Sequence, residues 1–313
     1  MGYLYLLCVA IMFSFGGTCV RLIRPCFGPA YITFFRFAVG VFFLLLLKAV
    51  KRQPFQKGFL SAARLAAGWI FFGAIAKWVA YLTENYALSH GPSYGNIVTQ
   101  PAQTVFLTLS SVLLFKEKLP PRKLLCILLC MAGVLCISWN GRPLNVFFQE
   151  NILLTGLFIL SGFCAGCHVL SQKMIAHQMD IIDSNLSIFA VSAVLAALPL
   201  IPGTAAGELS NIRPDLGCAA GILIFGFITG IGFYLNARAI LLVPFYMVPV
   251  IQSTMAIFAI LWGVLFFHEK ISVYIIGGTI LFIVGLIGLQ LKGHNKKRPE
   301  APEKRVQNRQ SMS

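Results

Sequence analysis

Phe115-Lys116-Glu117-Lys118-Leu119 recurs as Phe267-His268-Glu269-Lys270-Ile271, displaced by 152 residues. Held without a gap, the same offset pairs Pro92 with Pro244, Tyr94 with Tyr246, Gln100 with Gln252, Phe106 with Phe258 and Gly133 with Gly285. Several identities in one register indicate an internal duplication, which has to be recognised before elements are assigned. A period of about half the 313-residue chain is too long for a solenoid, so the molecule reads as two related halves.

Composition decides the solvent. Hydrophobic residues make up 58% of the chain and charged residues 11%, against about 45–50% and about 25% in an ordinary soluble domain. A soluble core of this length could not hide so many apolar side chains, whereas apolar runs of about 20 residues span a bilayer. The net charge of +15 does not point to nucleic acid, because the basic residues fall between apolar runs and in the tail, with no basic stripe interleaved with stacking aromatics. Cys8, Cys126, Cys130, Cys136, Cys164 and Cys167 lie inside apolar runs, where they act as small hydrophobes rather than a disulfide framework. The N-terminal apolar run has no basic leader or small-residue cleavage site and is expected to be the first span.

Segmentation on apolar length and on Pro, Gly and charge predicts ten helices, near 2–20, 29–48, 64–88, 93–115, 121–139, 152–172, 181–201, 216–238, 244–267 and 271–292. Helices are required because lipid offers backbone polar groups no partner. With the N-terminus inside, the inner loops and tail hold eighteen Lys and Arg residues, and the outer connections hold five: Arg21, Arg24, Arg142, Arg213 and Lys270. The positive-inside rule then places both termini in the cytoplasm. Five spans per half is odd, so the second half enters the bilayer from the opposite side. The expected fold is all-α, ten transmembrane helices in two inverted five-helix repeats, residues 1–140 and 152–292, with 293–313 a disordered basic cytoplasmic tail.

These features resemble the drug/metabolite transporter superfamily, EamA-type, whose halves each end in Gly-Glu-hydrophobic followed by a Gly-containing final helix. Lys116-Glu117-Lys118-Leu119 leads here to Gly133, and His268-Glu269-Lys270-Ile271 to Gly277 and Gly285. Lys116 and His268 stand where the family often has Gly, and Arg36 matches an Arg common in its second span. The resemblance covers residues 1 to about 292. It implies transport of small metabolites and a pathway between the first, third, fourth, sixth, eighth and ninth spans. The superfamily's substrates range over amino acids, nucleotide-related metabolites, sugar phosphates and drugs.

Ionisable and amide side chains inside spans are the candidate site. Lys77 lies about 20 Å into the third span, and Tyr81 and Glu84 follow at i+4 and i+7 on the same face. A cavity-lining face with Lys77 attracting a carboxylate or phosphate is weighed against an internally paired or snorkelling lysine. Arg36 sits at a depth close to that of Glu84, which suggests an ion pair, with Glu84 as a protonatable coupling group the alternative. Asn96, Gln100 and Gln103 share a face of the fourth span, which Pro101 interrupts. The ninth span repeats the theme with Tyr246, Gln252, Ser253 and Thr254 and with Pro244 and Pro249, so Gln100 and Gln252 point to a central site.

His168 is nominated for its depth in the sixth span, as a cavity wall or a satisfied interior histidine. Cys164-Ala165-Gly166-Cys167-His168 matches a haem-attachment pattern, but in an apolar helix this is an accident of sequence. Tyr81 and Tyr234 are the aromatic wall candidates. Gly226 and Gly230 form a GxxxG that internal packing explains as well as any partner. Glu117 and Glu269, each just before a helix start, are expected to satisfy local backbone donors.

No hydrolase, metalloprotease or phosphate-loop motif is present, so no enzyme, metal or cofactor is expected. The expectation is a secondary or facilitative carrier in the inner or plasma membrane that exports an amino acid or another small zwitterion or anion. It would act as a monomer or weak homodimer in the lipid bilayer, without nucleic acid. Broad efflux of amphipathic compounds, a lipid-linked sugar flippase component and a membrane scaffold are the rival readings.

Overall fold

The computed structural model describes residues 1–55, 59–90, 99–139, 141, 144–201, 215–267 and 272–290, and among these every regular element is helical. In chain order they are α1 (Gly2–Ser14), α2 (Gly16–Ile23), α3 (Pro29–Val50), α4 (Phe59–Leu65), α5 (Ala67–His90), α6 (Thr99–Leu113), α7 (Pro121–Trp139), α8 (Leu144–Ile175) and α9 (Ile181–Ala197). There follow α10 (Leu216–Phe227), a π-helical turn at Ile228–Gly232, α11 (Phe233–Ile240), α12 (Met247–Gln252), α13 (Met255–Phe267) and α14 (Val273–Gln290). Asn96, Glu269 with its neighbours, and the tail 293–313 lie outside the described residues.

Among the described residues, six stretches are long and apolar enough to cross a membrane: Gly2–Ile23, Pro29–Val50, Gly156–Ile175, Ile181–Leu200, Leu216–Ile240 and Met247–Phe266. Val273–Gly288 is a shorter apolar helix. The third expected span falls below that measure because α5 carries Lys77, Glu84 and Asn85, and α6, 15 residues long, carries Gln100, Gln103 and several hydroxyls. Low hydropathy in α5 and α6 therefore marks inward-facing polar groups, not exposure to water.

The ninth expected span breaks between α12 and α13, at Ser253 and Thr254 rather than at a proline. Their hydroxyls turn back onto the carbonyls of Pro249 (2.8 Å) and Ile251 (2.7 Å), satisfying backbone acceptors at the break.

α7 runs antiparallel to α14, and the contact is set by the repeat-matched glycines. A Cβ on Gly133 would sit 2.6 Å from both Gly278 O and Phe282 N. One on Gly285 would sit 2.7 Å from Cys130 Sγ and 2.8 Å from Cys126 O. The Gly226/Gly230 pair is likewise used internally, Gly226 against Val39 and Gly230 against the Gly40 carbonyl of α3.

Among the described residues, Lys48, Lys51, Lys123 and Lys173 meet neighbouring helices or their connections at one face of the bundle, with Arg238 beside Lys51 on Tyr234, and Glu117 ties the two halves together there. The expectation of purely local donors is corrected: its carboxylate accepts from Phe245 N (3.1 Å) and Tyr246 N (3.5 Å) at the start of α12, from the Ser111 hydroxyl, and pairs with Lys173 at 3.7 Å. It is a cap, but for a helix of the other half. Lys116 beside it has φ +50°, the left-handed region in which glycine is unstrained, which explains the Gly of the resembling motif. A larger side chain at Gly133 meets backbone that cannot move aside. Gly133→Val is expected to destabilise the protein by about 1–3 kcal/mol, read as a lower melting temperature in detergent. Gly277→Val, whose Cβ would meet nothing within 4 Å, is expected to leave it nearly unchanged.

Candidate functional site

Between the two halves lies a small cavity of about 60 Å³, part of it continuous with solvent. α5 contributes Lys77, Ala80, Tyr81 and Glu84, α6 contributes Thr99, Gln100 and Gln103, and Arg36 reaches in from α3. Phe13 of α1, Ser161, Ala165 and Val169 of α8, Phe233 and Asn236 of α11, Gln252 of α12 and Met255 of α13 close it. Spacings of three or four residues on α5, α6 and α8 put each set on one helical face.

Arg36 is the hub. Its Nη1 lies 3.4 Å from Glu84 Oε2, its Nε donates to Thr229 Oγ1 at 3.1 Å, and its guanidinium carbon stands 3.2 Å from the Tyr81 ring centroid and 3.9 Å from that of Phe225. Charge, fork and flat face are thus all used, as a buried guanidinium requires. Thr229 sits in the π-helical turn and donates its own hydroxyl proton to Phe225 O at 2.9 Å. Such turns are often found at functional positions in helices.

Lys77 is treated differently. Only 4% exposed, its Nζ lies 3.8 Å from the Tyr81 centroid and 4.3 Å from the Phe233 centroid. Among the described residues no carboxylate lies within ion-pair distance of it, the pairs being Arg36–Glu84, Lys48–Asp183 and Lys173–Glu117. Aromatic faces attract a cation but leave its charge uncompensated.

The cavity floor towards the basic face is a chain of amides. Gln103 Nε2 donates to Gln252 Oε1 (3.4 Å), Gln252 Nε2 to Asn236 Oδ1 (2.7 Å), Asn236 Nδ2 to Gln172 Oε1 (3.3 Å) and Gln172 Nε2 to Asn185 Oδ1 (2.6 Å). Five elements, α6, α12, α11, α8 and α9, are linked in this way. Gln100 has only a 3.6 Å contact from its Nε2 to Met255 Sδ, and its buried Oε1 has no hydrogen-bond partner among the described residues.

Of the residues nominated from sequence, Arg36, Lys77, Tyr81, Glu84, Gln100, Gln103 and Gln252 converge on this cavity. His168 and Tyr234 do not line it. His168 faces away, its Nδ1 3.3 Å from Gly73 O and its ring against Phe189 and Phe233. Tyr234 follows Phe233 by one position, about 100° round the helix, and its hydroxyl accepts from Lys51 and from Arg238 (3.1 Å) at the basic face. Sequence reasoning missed Phe233, Asn236 and Met255. The repeat contained the signal, since the offset of 152 pairs Tyr81 with Phe233, Glu84 with Asn236 and Gln103 with Met255. Among the described residues no group of three or more His, Cys, Asp or Glu could hold a metal ion.

A family model for the EamA-like transporter family matches residues 1–139 and again 153–291. The chain belongs to the EamA-like transporter family. As an EamA-like protein it is a member of the drug/metabolite transporter superfamily, an integral membrane transporter built from two repeats. Solute carrier family 35 member B1 of Rattus norvegicus is 27% identical over 284 residues, covering 85% of this chain and 84% of that protein. The Bos taurus protein of that name is 26% identical over 265 residues, 80% of each chain. A solved crystal structure with 15% identity has a TM-score of 0.72, covering 93% of this EamA-like chain and 97% of that chain, which is a likeness of fold.

Removing the guanidinium would leave Glu84 without the Arg36 charge in a part-buried site. Arg36→Met is expected to cost about 3–5 kcal/mol, and adding Glu84→Gln in that background should recover part of it, both read as melting temperature in detergent.

Proposed function

We propose that the chain is a secondary or facilitative transporter of small organic metabolites bearing a carboxylate or phosphate, with amino acids and other zwitterions the best-fitting class, and that it works as an exporter. One observation carries the reading: the Lys77 amino group is buried, faces the cavity and has no carboxylate within ion-pair distance among the described residues. Arg36 and Glu84 offset each other, so protonation of Lys77 beside a bound anion gives the described lining one positive charge. A bound anion supplies the missing countercharge where little water competes. Gln100 Oε1 lines the same cavity as an open acceptor for an ammonium, amide or hydroxyl donor, so a zwitterion can satisfy both at once.

The mechanism is alternating access. Residues 1–140 and 152–292 act as inverted five-helix repeats that rock about the cavity, in a chain of ten membrane crossings. Support comes from the lining, which draws on both halves in register, and from the basic face. There the end of α3 meets the start of α9 through Lys48–Asp183, the starts of α7 and α12 meet through Lys123–Tyr246, and Glu117, between α6 and α7, reaches Phe245. With that face in the cytoplasm of an inner or plasma membrane, Glu117 and Lys173 hold the inner side shut. His168 and Tyr234 act as support behind the wall. Because the deep ionisable groups are few, coupling to a gradient is carried by substrate exchange as readily as by protons.

Counterflow in vesicles containing purified protein, run over a panel of amino acids, organic acids, phosphate esters and lipophilic cations, tests this. Lys77→Met is expected to reduce transport of the accepted anion or zwitterion about 100-fold and at the same time to raise the melting temperature, because it removes a buried unpaired charge. Gln100→Ala is expected to lower transport of amino acids more than that of simple organic acids. Unchanged rates for both variants on every transported compound would refute the site.

A further inference from the structure

At the basic face, away from the cavity, two cations close on one neutral oxygen. Lys51, the residue that ends α3, donates its Nζ to the Tyr234 hydroxyl oxygen, and Arg238 of α11 donates Nη1 to the same atom at 3.1 Å. Lys51 Nζ also lies 4.2 Å from the Tyr234 ring centroid. Two donors on one oxygen hold the charges no more than about 6 Å apart, where like charges repel unless an anion lies between them. Neither cation has a carboxylate within ion-pair distance among the described residues, and the nearby Asp183 is occupied by Lys48. The corner is more basic still: Arg52, the next residue, has φ +49° in the turn closed by Arg52 N to Ala49 O and Gln53 N to Lys48 O, where glycine is the usual occupant.

The surroundings say what kind of anion fits. Leu46 and Val50 precede Lys51 on α3, and Leu241 and Leu242 follow Arg238 by three and four positions; all four are exposed. Tyr234 itself is buried and fixes the geometry of both cations. A charged headgroup held by the two donors with acyl chains against flanking leucine and valine is the arrangement such a corner accepts.

We infer that Lys51, Arg238 and the Tyr234 hydroxyl form a binding site for the phosphate of an anionic phospholipid, separate from the transport cavity. The inference goes beyond the proposed transport and does not depend on its substrate.

The test is binding of phosphatidylglycerol to the purified full-length protein in a neutral detergent, followed by native mass spectrometry and by thermal shift, with phosphatidylcholine and inorganic phosphate as comparison probes. Wild-type protein is expected to retain phosphatidylglycerol in preference to phosphatidylcholine. The double variant Lys51→Gln/Arg238→Gln is expected to bind it about 30-fold more weakly and each single variant about five-fold more weakly, with helical circular dichroism unchanged. Lys118→Gln/Arg122→Gln removes the same charge elsewhere on the basic face and is expected to bind as wild type. Equal loss in both double variants, no preference over phosphatidylcholine, or displacement of the lipid by inorganic phosphate would overturn the inference. The single variants keep the test decisive should the double variant fail to fold.

Discussion

A hydrocarbon slab contains no water to satisfy a polar side chain, so amides, hydroxyls and charges within the bundle are driven to find partners on their own helix or on another. That constraint accounts for most of the arrangement. The amide chain from Gln103 to Asn185 crosses five elements because no member could be left facing lipid. Asn85 reaches Thr33 across α5 and α3, Ser161 reaches the Ala80 carbonyl, and Trp262 donates to Ser14 across α13 and α1. Apolar packing between helices gains little against lipid tails that are equally apolar, so these bonds and the close glycine crossings fix which faces meet.

Depth along a helix could be read from the sequence; direction around it could be read on α5 and α6 but not on α8 or α11. Apolar length set the helices close to where they lie, and spacing on α5 and α6 gathered Lys77, Tyr81, Glu84, Gln100 and Gln103 on their inner faces. That worked because lipid on the opposite face leaves polar residues a single choice. α8 is packed on more than one side, so depth alone could not separate Ser161, Ala165 and Val169, which line the cavity, from His168, which turns to Gly73 and Phe189. The same difficulty exchanged Tyr234 for Phe233. Glu117 was legible as a cap but not as a cap across the halves, because its acceptance of the Phe245 and Tyr246 N–H groups is a tertiary contact spanning about 128 residues that no local pattern encodes.

Duplication and divergence make separate contributions to the cavity. Phe13 and Ala165, Tyr81 and Phe233, Glu84 and Asn236, Gln100 and Gln252, and Gln103 and Met255 are all related by the one offset, and all line the cavity. Equivalent positions therefore face a common space from both sides. The chemistry no longer matches: Glu84 is answered by neutral Asn236, and Lys77 by Thr229, which serves Arg36 instead of the cavity. Among the described residues, all the ionisable lining groups belong to the first half.

That imbalance has an electrostatic reason. Had both halves kept a lysine at the Lys77 position, two ammonium groups would face one small, poorly hydrated space, and the repulsion would have to be offset by two anions or by a much wetter cavity. With threonine at the matched position, the second half supplies an oxygen that holds Arg36 beside Glu84, and Lys77 is left as the lining lysine with no carboxylate within ion-pair distance among the described residues. The repeat thus supplies an enclosure lined from both halves, and the difference between Lys77 and Thr229 at the matched positions is the basis of the anion preference proposed above.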